Sequence, residues 1–386
     1  MLQQHINHNQ DVKHLIDEGY EVEINDRHLY VHHIPYLKST KEVAYATLFC
    51  PFNVQGWKIS PVSHTMYYKG DTPCDTEGNP LTKIFNSENI KIGDDLIADR
   101  MFSSKPSDRN YRDFYEKFTT YISIISNEAR ALYPEVTAKT FVPIKLTEFD
   151  SVFQYLDTNS SRANIDFLNK KFYDQKIAII GLGGTGSYIL DFVTKTPTKE
   201  IHLYDGDTFS THNAFRSPGA ASADILNERP SKVEYLAGIY SNMHKMIVSH
   251  SEFVGEPNLQ DFLGYDFVFV CIDSNRARMK ICSFLIEHNI KFIDVGLGVN
   301  LVDDKLSGTV RVSYPSNHDI SVLENHCGKG NMDDDLYVSN IQIAELNALN
   351  AALAVMKWKE ELGYYCNAKN YHTSIYSQTL NKIVYE

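Results

Sequence analysis

Four apolar positions in a row, Ile177–Ile180 after Lys176, run into a glycine cluster (GLGG) and then into TGSYILDFVTK. A short apolar run closed by glycines predicts a strand buried on both faces, and the segment after it predicts a helix. EIHLYD (200–205) predicts the next strand, and a helix is expected to begin near Pro230. KMIVSH and YDFVFVCID predict strands, RARMKICSFLIEHN a helix, and KFIDVGL another strand. Apolar strands separated by helices predict an α/β fold with a mostly parallel, doubly wound sheet covered on both faces. Farther on, TVRVSY alternates as an antiparallel edge strand does. Residues 339–359 predict a long helix that is apolar nearly all round, with Leu346, Leu349, Leu353, Val355 and Met356. Such a helix is buried on more than one side, in the core or in a subunit interface.

The first 150 residues follow a different pattern. Short β-rich runs (EVEI, HLYVHHI, VAYATLFC, HTMYYKG) alternate with turn clusters such as DTPCDTEGNP. Phe114, Phe118, Tyr121, Ile125 and Leu132 recur at helical spacing and predict one helix over 110–133 with a single apolar face. This half reads as an α+β domain. The polar stretch DTNSSRA at 157–163 marks the junction. The expected domains are 1–156 and 157–386.

Composition narrows the class. A chain of 386 residues, 43% hydrophobic and 22% charged, has material for about two or three ordinary globular domains. A net charge of -12 argues against non-specific nucleic-acid binding. The polar start MLQQHINHNQDVKH does not read as a secretory signal, and no apolar run reaches the ~18 residues that span a membrane. The six cysteines form no C-x-x-C pair, so neither a structural zinc nor a disulfide framework is expected. The expectation is a cytoplasmic protein with reduced thiols.

The glycine turn carries the chemistry. Gly181, Gly183, Gly184 and Gly186 let backbone N–H groups approach a phosphate at a helix N-terminus. Asp205 lies 24 positions after Gly181, at a strand end, where a carboxylate accepts ribose hydroxyls. NAD is one occupant of such a site. It leaves unexplained a second acid, Asp207, the pair Asn213 and Arg216, Lys232, and the strand-end acid Asp273. Two cations suit a triphosphate, and Asp273 suits a magnesium ion bridging its oxygens. No G-x-x-x-x-G-K-[ST] occurs, so this is not a P-loop. Each residue also has a plainer reading: Asp205 and Asp273 as capping acids, Asp207 as a turn acid, Lys232 as a surface lysine.

GLGGTG (181–186), DGD (205–207), NAFR (213–216), Lys232 and Asp273 with the Ser-Asn-Arg-Ala-Arg after it match, in order, the ThiF-like superfamily of adenylating enzymes. The region from about 160 to the end therefore resembles ubiquitin-activating enzymes and the activators of sulfur-carrier proteins. Two departures stand out: the usual N-L-x-R-Q reads N-A-F-R-S, and the paired zinc cysteines of many relatives are missing. The N-terminal half resembles a domain fused to some bacterial ThiF-like proteins of ubiquitin-like conjugation operons.

The resemblance implies a Rossmann-like adenylation domain that joins AMP from ATP to the C-terminal carboxylate of a ubiquitin-like or sulfur-carrier protein, with magnesium. It implies that Asp205 holds the ribose, Asn213 and Arg216 the α- and β-phosphates, Lys232 the β- and γ-phosphates, and Asp273 the metal. It further implies a homodimer in which Arg162 reaches the partner's ATP site, and an N-terminal domain that recruits a conjugating enzyme. Cys327, in ENHCGKGNMDDDL, stands where relatives carry an acyl-accepting cysteine, with His326 and Lys329 favouring a thiolate and Asp333, Asp334 and Asp335 opposing it. Cys271 and Cys282 read as structural, and Cys366 as a weaker rival. The alternatives are adenylation of a small molecule or peptide, a non-catalytic nucleotide-binding scaffold, and an NAD-dependent oxidoreductase.

Overall fold

The computed structural model describes residues 9–25, 27–52, 60–92, 96–106, 109–144, 151–315, 341–367 and 371–386. It divides into two units, Met1–Ser151 with Tyr155–Asp166, and Val152–Gln154 with Phe167–Glu386.

The first unit contains helix α1 (Gln10–Asp17), strands β1 (Val22–Asn25), β2 (His28–Leu37), β3 (Val43–Pro51), β4 (Thr65–Lys69), β5 (Phe85–Lys91) and β6 (Ile97–Ser103), then α2 (Phe114–Leu132) and α3 (Thr158–Arg162). The strands form one antiparallel sheet in the order β1-β2-β3-β4-β6-β5. Asp113 caps α2 by accepting from the backbone N–H of Glu116 at 2.8 Å. Phe114, Phe118, Tyr121 and Ile125 are fully buried, as their spacing predicts. Leu132 departs from that expectation: it is the last residue of α2 and is 43% exposed, so the buried stripe ends at Ala129.

The second unit contains β7 (Lys176–Ile180), α4 (Gly184–Val193), β8 (Glu200–Tyr204), α5 (Thr211–Ala214), α6 (Ala223–Glu228), α7 (Lys232–Tyr240), β9 (Ile247–His250), β10 (Phe267–Val270), α8 (Asn275–Glu287), β11 (Phe292–Val302), β12 (Lys305–Ser313), α9 (Ala344–Glu361), β13 (Thr373–Ser377) and β14 (Lys382–Tyr385). The sheet order is β14-β13-β12-β11-β10-β7-β8-β9. Strands β9, β8, β7, β10 and β11 run parallel; the rest are antiparallel. TVRVSY thus lies in an antiparallel strand, but not at the edge. Strands β13 and β14, only five and four residues long and absent from the sequence reading, extend the sheet beyond it.

Alternation places the two faces of β7 in different cores. Ile177 and Ile179 pack with Leu190, Val193 and Trp358. Ala178 and Ile180 pack with Cys282 and Leu285 on the other side. Fully burying each large aliphatic side chain contributes about 1.5–3 kcal/mol, so burial on both faces anchors this strand, as it does β10, whose Phe267 and Phe269 join one core and Val268 and Val270 the other. Helix α9 buries Asn347, Asn350, Ala351, Ala354, Val355 and Trp358, with Leu353 packed against the same core, whereas Met356 is 41% exposed. Among the described residues no helix is long and apolar enough to cross a membrane.

One buried histidine makes the second unit acid-labile. His244 is fully buried, donates from Nε2 to the Thr198 carbonyl at 2.9 Å, and accepts at Nδ1 from the Met246 N–H at 3.2 Å. Burial lowers its pKa to about 4. An unfolded histidine titrates near 6.5, so on acidification the unfolded chain takes up this proton first. Stability from this group is complete above pH ~6.5 and falls by roughly 3 kcal/mol as pH drops toward 4. Urea midpoints measured across that range should show the loss, and His244→Asn should flatten the slope.

Candidate active site

Strand β7 lies between β8 and β10, where the order of the parallel strands reverses, and ligands of open α/β sheets bind at the carboxyl ends there. The turn leaving β7 is built from glycines for packing reasons. Gly181 has φ +85, and a Cβ on it would lie 2.7 Å from the Cys271 carbonyl oxygen. A Cβ on Gly186 would lie 1.9 Å from the Gly181 carbonyl oxygen, so the first turn of α4 can press onto the loop only as glycine. Gly184 is met from α9 by the Asn347 amide, whose Oδ1 accepts from the Thr185 hydroxyl at 2.9 Å. Gly183 alone faces open space, and as N-cap of α4 it supplies no side chain to the helix's first N–H groups. Those donors and the positive end of the helix dipole suit an anion.

Asp205 follows β8 and is 7% exposed. Its Oδ2 accepts from the Leu182 N–H at 2.7 Å and its Oδ1 from the Asp207 N–H at 2.9 Å. Lys232, the first residue of α7 and 6% exposed, puts Nζ 3.3 Å from Asp205 and 2.7 Å from the carboxylate of Asp207. The lysine read from sequence as a phosphate ligand therefore bridges two acids. Gly206 between them lies under the ring of Phe253, whose nearest carbon would be 2.7 Å from a Cβ there; Phe253 is 70% exposed. Sequence reading missed Phe253, which sits in a loop with no periodic pattern to single it out.

Short helix α5 and the residues just after it carry three polar side chains, Asn213, Arg216 and Ser217. Asn213 is 1% exposed, and its Oδ1 accepts from the Ser210 N–H at 3.0 Å. Its Nδ2, together with Arg216 Nε and Ser217 Oγ, is buried without a hydrogen-bond partner among the described residues. Burial lowers the pKa of Arg216, while the charges of Asp273 and Asp207 pull it back up. Burial also lowers the pKa of His212, assisted by Arg216 and Lys232.

Asp273 is exposed in the turn between β10 and α8. Beside it, residues 254–257 with Ser274, Arg276, Ala277 and Lys280 line a groove of about 350 Å³ whose polar members include Glu256, Arg276 and Lys280. No group of three His, Cys, Asp or Glu able to hold a metal occurs among the described residues. A lone exposed carboxylate does not fit a closed all-protein metal site. It does fit magnesium, which keeps several waters and binds through one or two carboxylates plus substrate phosphates.

Arg162 ends α3 in the first unit, and its guanidinium donates to the Asp17 carbonyl at the end of α1. Cys327, with His326, Lys329 and Asp333–Asp335, lies outside the described residues. Cys282 is fully buried in α8; Cys271 follows β10, and burial pushes its thiol pKa up. Cys366 is exposed.

Comparison with known proteins gives two family matches. The ThiF family matches residues 146–374, and a domain of unknown function (DUF6791) matches residues 10–158. Ubiquitin-like modifier-activating enzyme 5 of Drosophila mojavensis is 28% identical over 152 residues, covering 36% of this chain and 38% of that protein. The tRNA threonylcarbamoyladenosine dehydratase of Escherichia coli (strain K12) is 24% identical over 185 residues, covering 42% of this chain and 65% of that protein. The chain thus spans less than two thirds of the length of either relative. A crystal structure of E. coli MccB with MccA-N7isoASN superposes with a TM-score of 0.45 at 16% identity, covering 58% of this chain and 67% of that one.

Proposed function

The chain belongs to the ThiF family, and on that premise we propose that it is an ATP-dependent adenylyltransferase acting on the C-terminal carboxylate of a ubiquitin-like or sulfur-carrier protein. The observation that carries this reading is the trio of buried, unpartnered atoms, Asn213 Nδ2, Arg216 Nε and Ser217 Oγ, with Arg216 near enough to Asp273 and Asp207 to feel both charges. A buried donor left unpaired costs about 1–3 kcal/mol. Oxygens of a bound triphosphate remove that cost.

In the proposed reaction a carboxylate oxygen attacks the α-phosphorus of ATP. The bond to the bridging α,β oxygen breaks, and pyrophosphate leaves with the electron pair. Two anions must meet, so positioning and fixed positive charge carry the catalysis. The α4 amides, Asn213 and Arg216 hold the phosphates. Asp205 accepts the ribose hydroxyls, and Phe253 and the neighbouring groove receive the base. The Lys232 ammonium has three donors; two go to Asp205 and Asp207, which leaves one for a phosphate oxygen. Asp273 holds magnesium, which neutralises charge on the departing oxygens when bound. Arg162, supplied across a homodimer, and Cys327, as acceptor of the acyl group in a thioester, complete the reading; the first unit would recruit a conjugating enzyme.

A second reading is that the activated carboxylate belongs to a small molecule or peptide; one matched relative, a tRNA threonylcarbamoyladenosine dehydratase, is named for a substrate other than a ubiquitin-like protein. Exchange of labelled pyrophosphate into ATP separates the two. With magnesium and a panel of ubiquitin-like and sulfur-carrier proteins ending in Gly-Gly, exchange should appear with at least one carrier and vanish when its terminal glycine is removed. Exchange with small carboxylates alone favours the second reading. NAD binding in preference to ATP would sink both.

A further inference from the structure

Asp294 on β11 is fully buried between two arginines. Arg278 Nε lies 3.1 Å from its Oδ1 as an ion pair without hydrogen-bond geometry, and Arg311 Nη2 donates to its Oδ2 at 2.6 Å. The two arginines use their other donors differently. Arg278 Nη1 donates to Asn275 Oδ1 at 3.0 Å, and its Nη2 donates to the Ile272 carbonyl. Those two partners flank Asp273. Arg311 Nη1 instead donates to Ser313 Oγ at 2.6 Å, which in turn meets the Thr373 hydroxyl at 3.1 Å.

We propose that Arg278 is the positioning residue for Asp273: it ties the 272–275 turn, on both sides of that carboxylate, to the immobile Asp294 beneath. This rests on the reading of Asp273 as the metal-binding acid. The physical reason lies in the shape of the guanidinium. Two donors of one rigid plane, Nη1 and Nη2, hold a side-chain amide and a backbone carbonyl while the guanidinium charge pairs with the buried carboxylate; a lysine ammonium on a flexible stem cannot span that set. Asp273 itself is exposed, so the turn's conformation governs where its oxygens stand. Arg311 shares the same buried carboxylate without touching the turn, and so serves as an internal control.

The test is ATP affinity measured calorimetrically with Mg²⁺ and with EDTA for the full chain, together with thermal unfolding. The wild type should bind ATP more tightly with Mg²⁺. Arg278→Lys should lose about tenfold or more of that Mg²⁺-dependent gain, as loss of an outer-shell support of a metal ligand does, while its affinity in EDTA stays unchanged. Arg311→Lys should lose comparable thermal stability yet keep the gain. If Arg278→Lys does not fold, Asn275→Ala removes one turn contact at the surface and leaves the ion pair; it should lose part of the gain with stability intact. The proposal is overturned if Arg278→Lys, or Asn275→Ala in its place, keeps the whole gain, or if Arg311→Lys loses as much. A wild type with no Mg²⁺-dependent gain overturns the metal reading of Asp273, and this inference with it.

Discussion

Lys232→Met should cost the chain about 3–5 kcal/mol of stability, and adding Asp205→Asn should recover much of that loss. Lys232 and Asp205 are 6% and 7% exposed, so methionine would leave a carboxylate buried with its cation gone. Two backbone N–H groups, of Leu182 and Asp207, still reach Asp205, but hydrogen bonds alone do not neutralise the charge. Asparagine removes that charge and keeps an acceptor for one of them. Urea denaturation of the two single variants and the double variant closes a thermodynamic cycle, and a coupling of more than about 1 kcal/mol is expected for groups in contact. Additive effects would mean that Lys232 does not pair with Asp205 in solution. If Lys232 were only a phosphate ligand, its replacement would leave the free protein's stability unchanged.

Asp273→Ala should do the opposite: little change in stability and a fall in pyrophosphate exchange by about 10³-fold, the scale of losing several kcal/mol of charge stabilisation in the transition state. The asymmetry follows from burial. Asp273 is exposed and belongs to neither core cluster, so the fold does not need it. Thermal unfolding should stay within a few degrees of wild type, since about 1 kcal/mol shifts a domain of this size by ~2–4 °C. Wild-type exchange in Asp273→Ala would remove the metal assignment.

The parallel sheet was legible because its strands are buried on both faces and so read as unbroken apolar runs. Its topology confirms the alternation of KIAII, EIHLY and FVFV with helices. Strands β13 and β14 were not legible: TSIYS and KIVY are short, and their positions in the sheet are fixed by pairing with β12 rather than by their own pattern. Helix α9 was legible as a largely buried helix, but its polar contacts were not. The inward face carries Asn347 and Asn350 because they meet polar partners, the Thr185 hydroxyl and the Gly296 carbonyl, and no hydropathy pattern encodes such a partner. In the site, the glycines, Asp205, Asn213, Arg216 and Asp273 were named from motif spacing. What spacing could not give is which charges already pair with one another. Lys232 bridges Asp205 and Asp207, and Arg162 bonds within the first unit; both depend on residues distant in sequence. Arg278, Asp294 and Arg311 likewise come from three separate elements, so their triad exists only in the fold.

The central claim is that the glycine turn, Asp205 and the buried donors of α5 hold a triphosphate with magnesium. Equilibrium titration of the wild-type chain with ATP and with NAD, each with Mg²⁺ and with EDTA, tests it most directly. The account predicts one ATP site per chain, tightened by Mg²⁺, weakened by Asn213→Ala and Arg216→Ala, and not competed by NAD. A single site that prefers NAD, or ATP binding indifferent to both Mg²⁺ and those two substitutions, would contradict it.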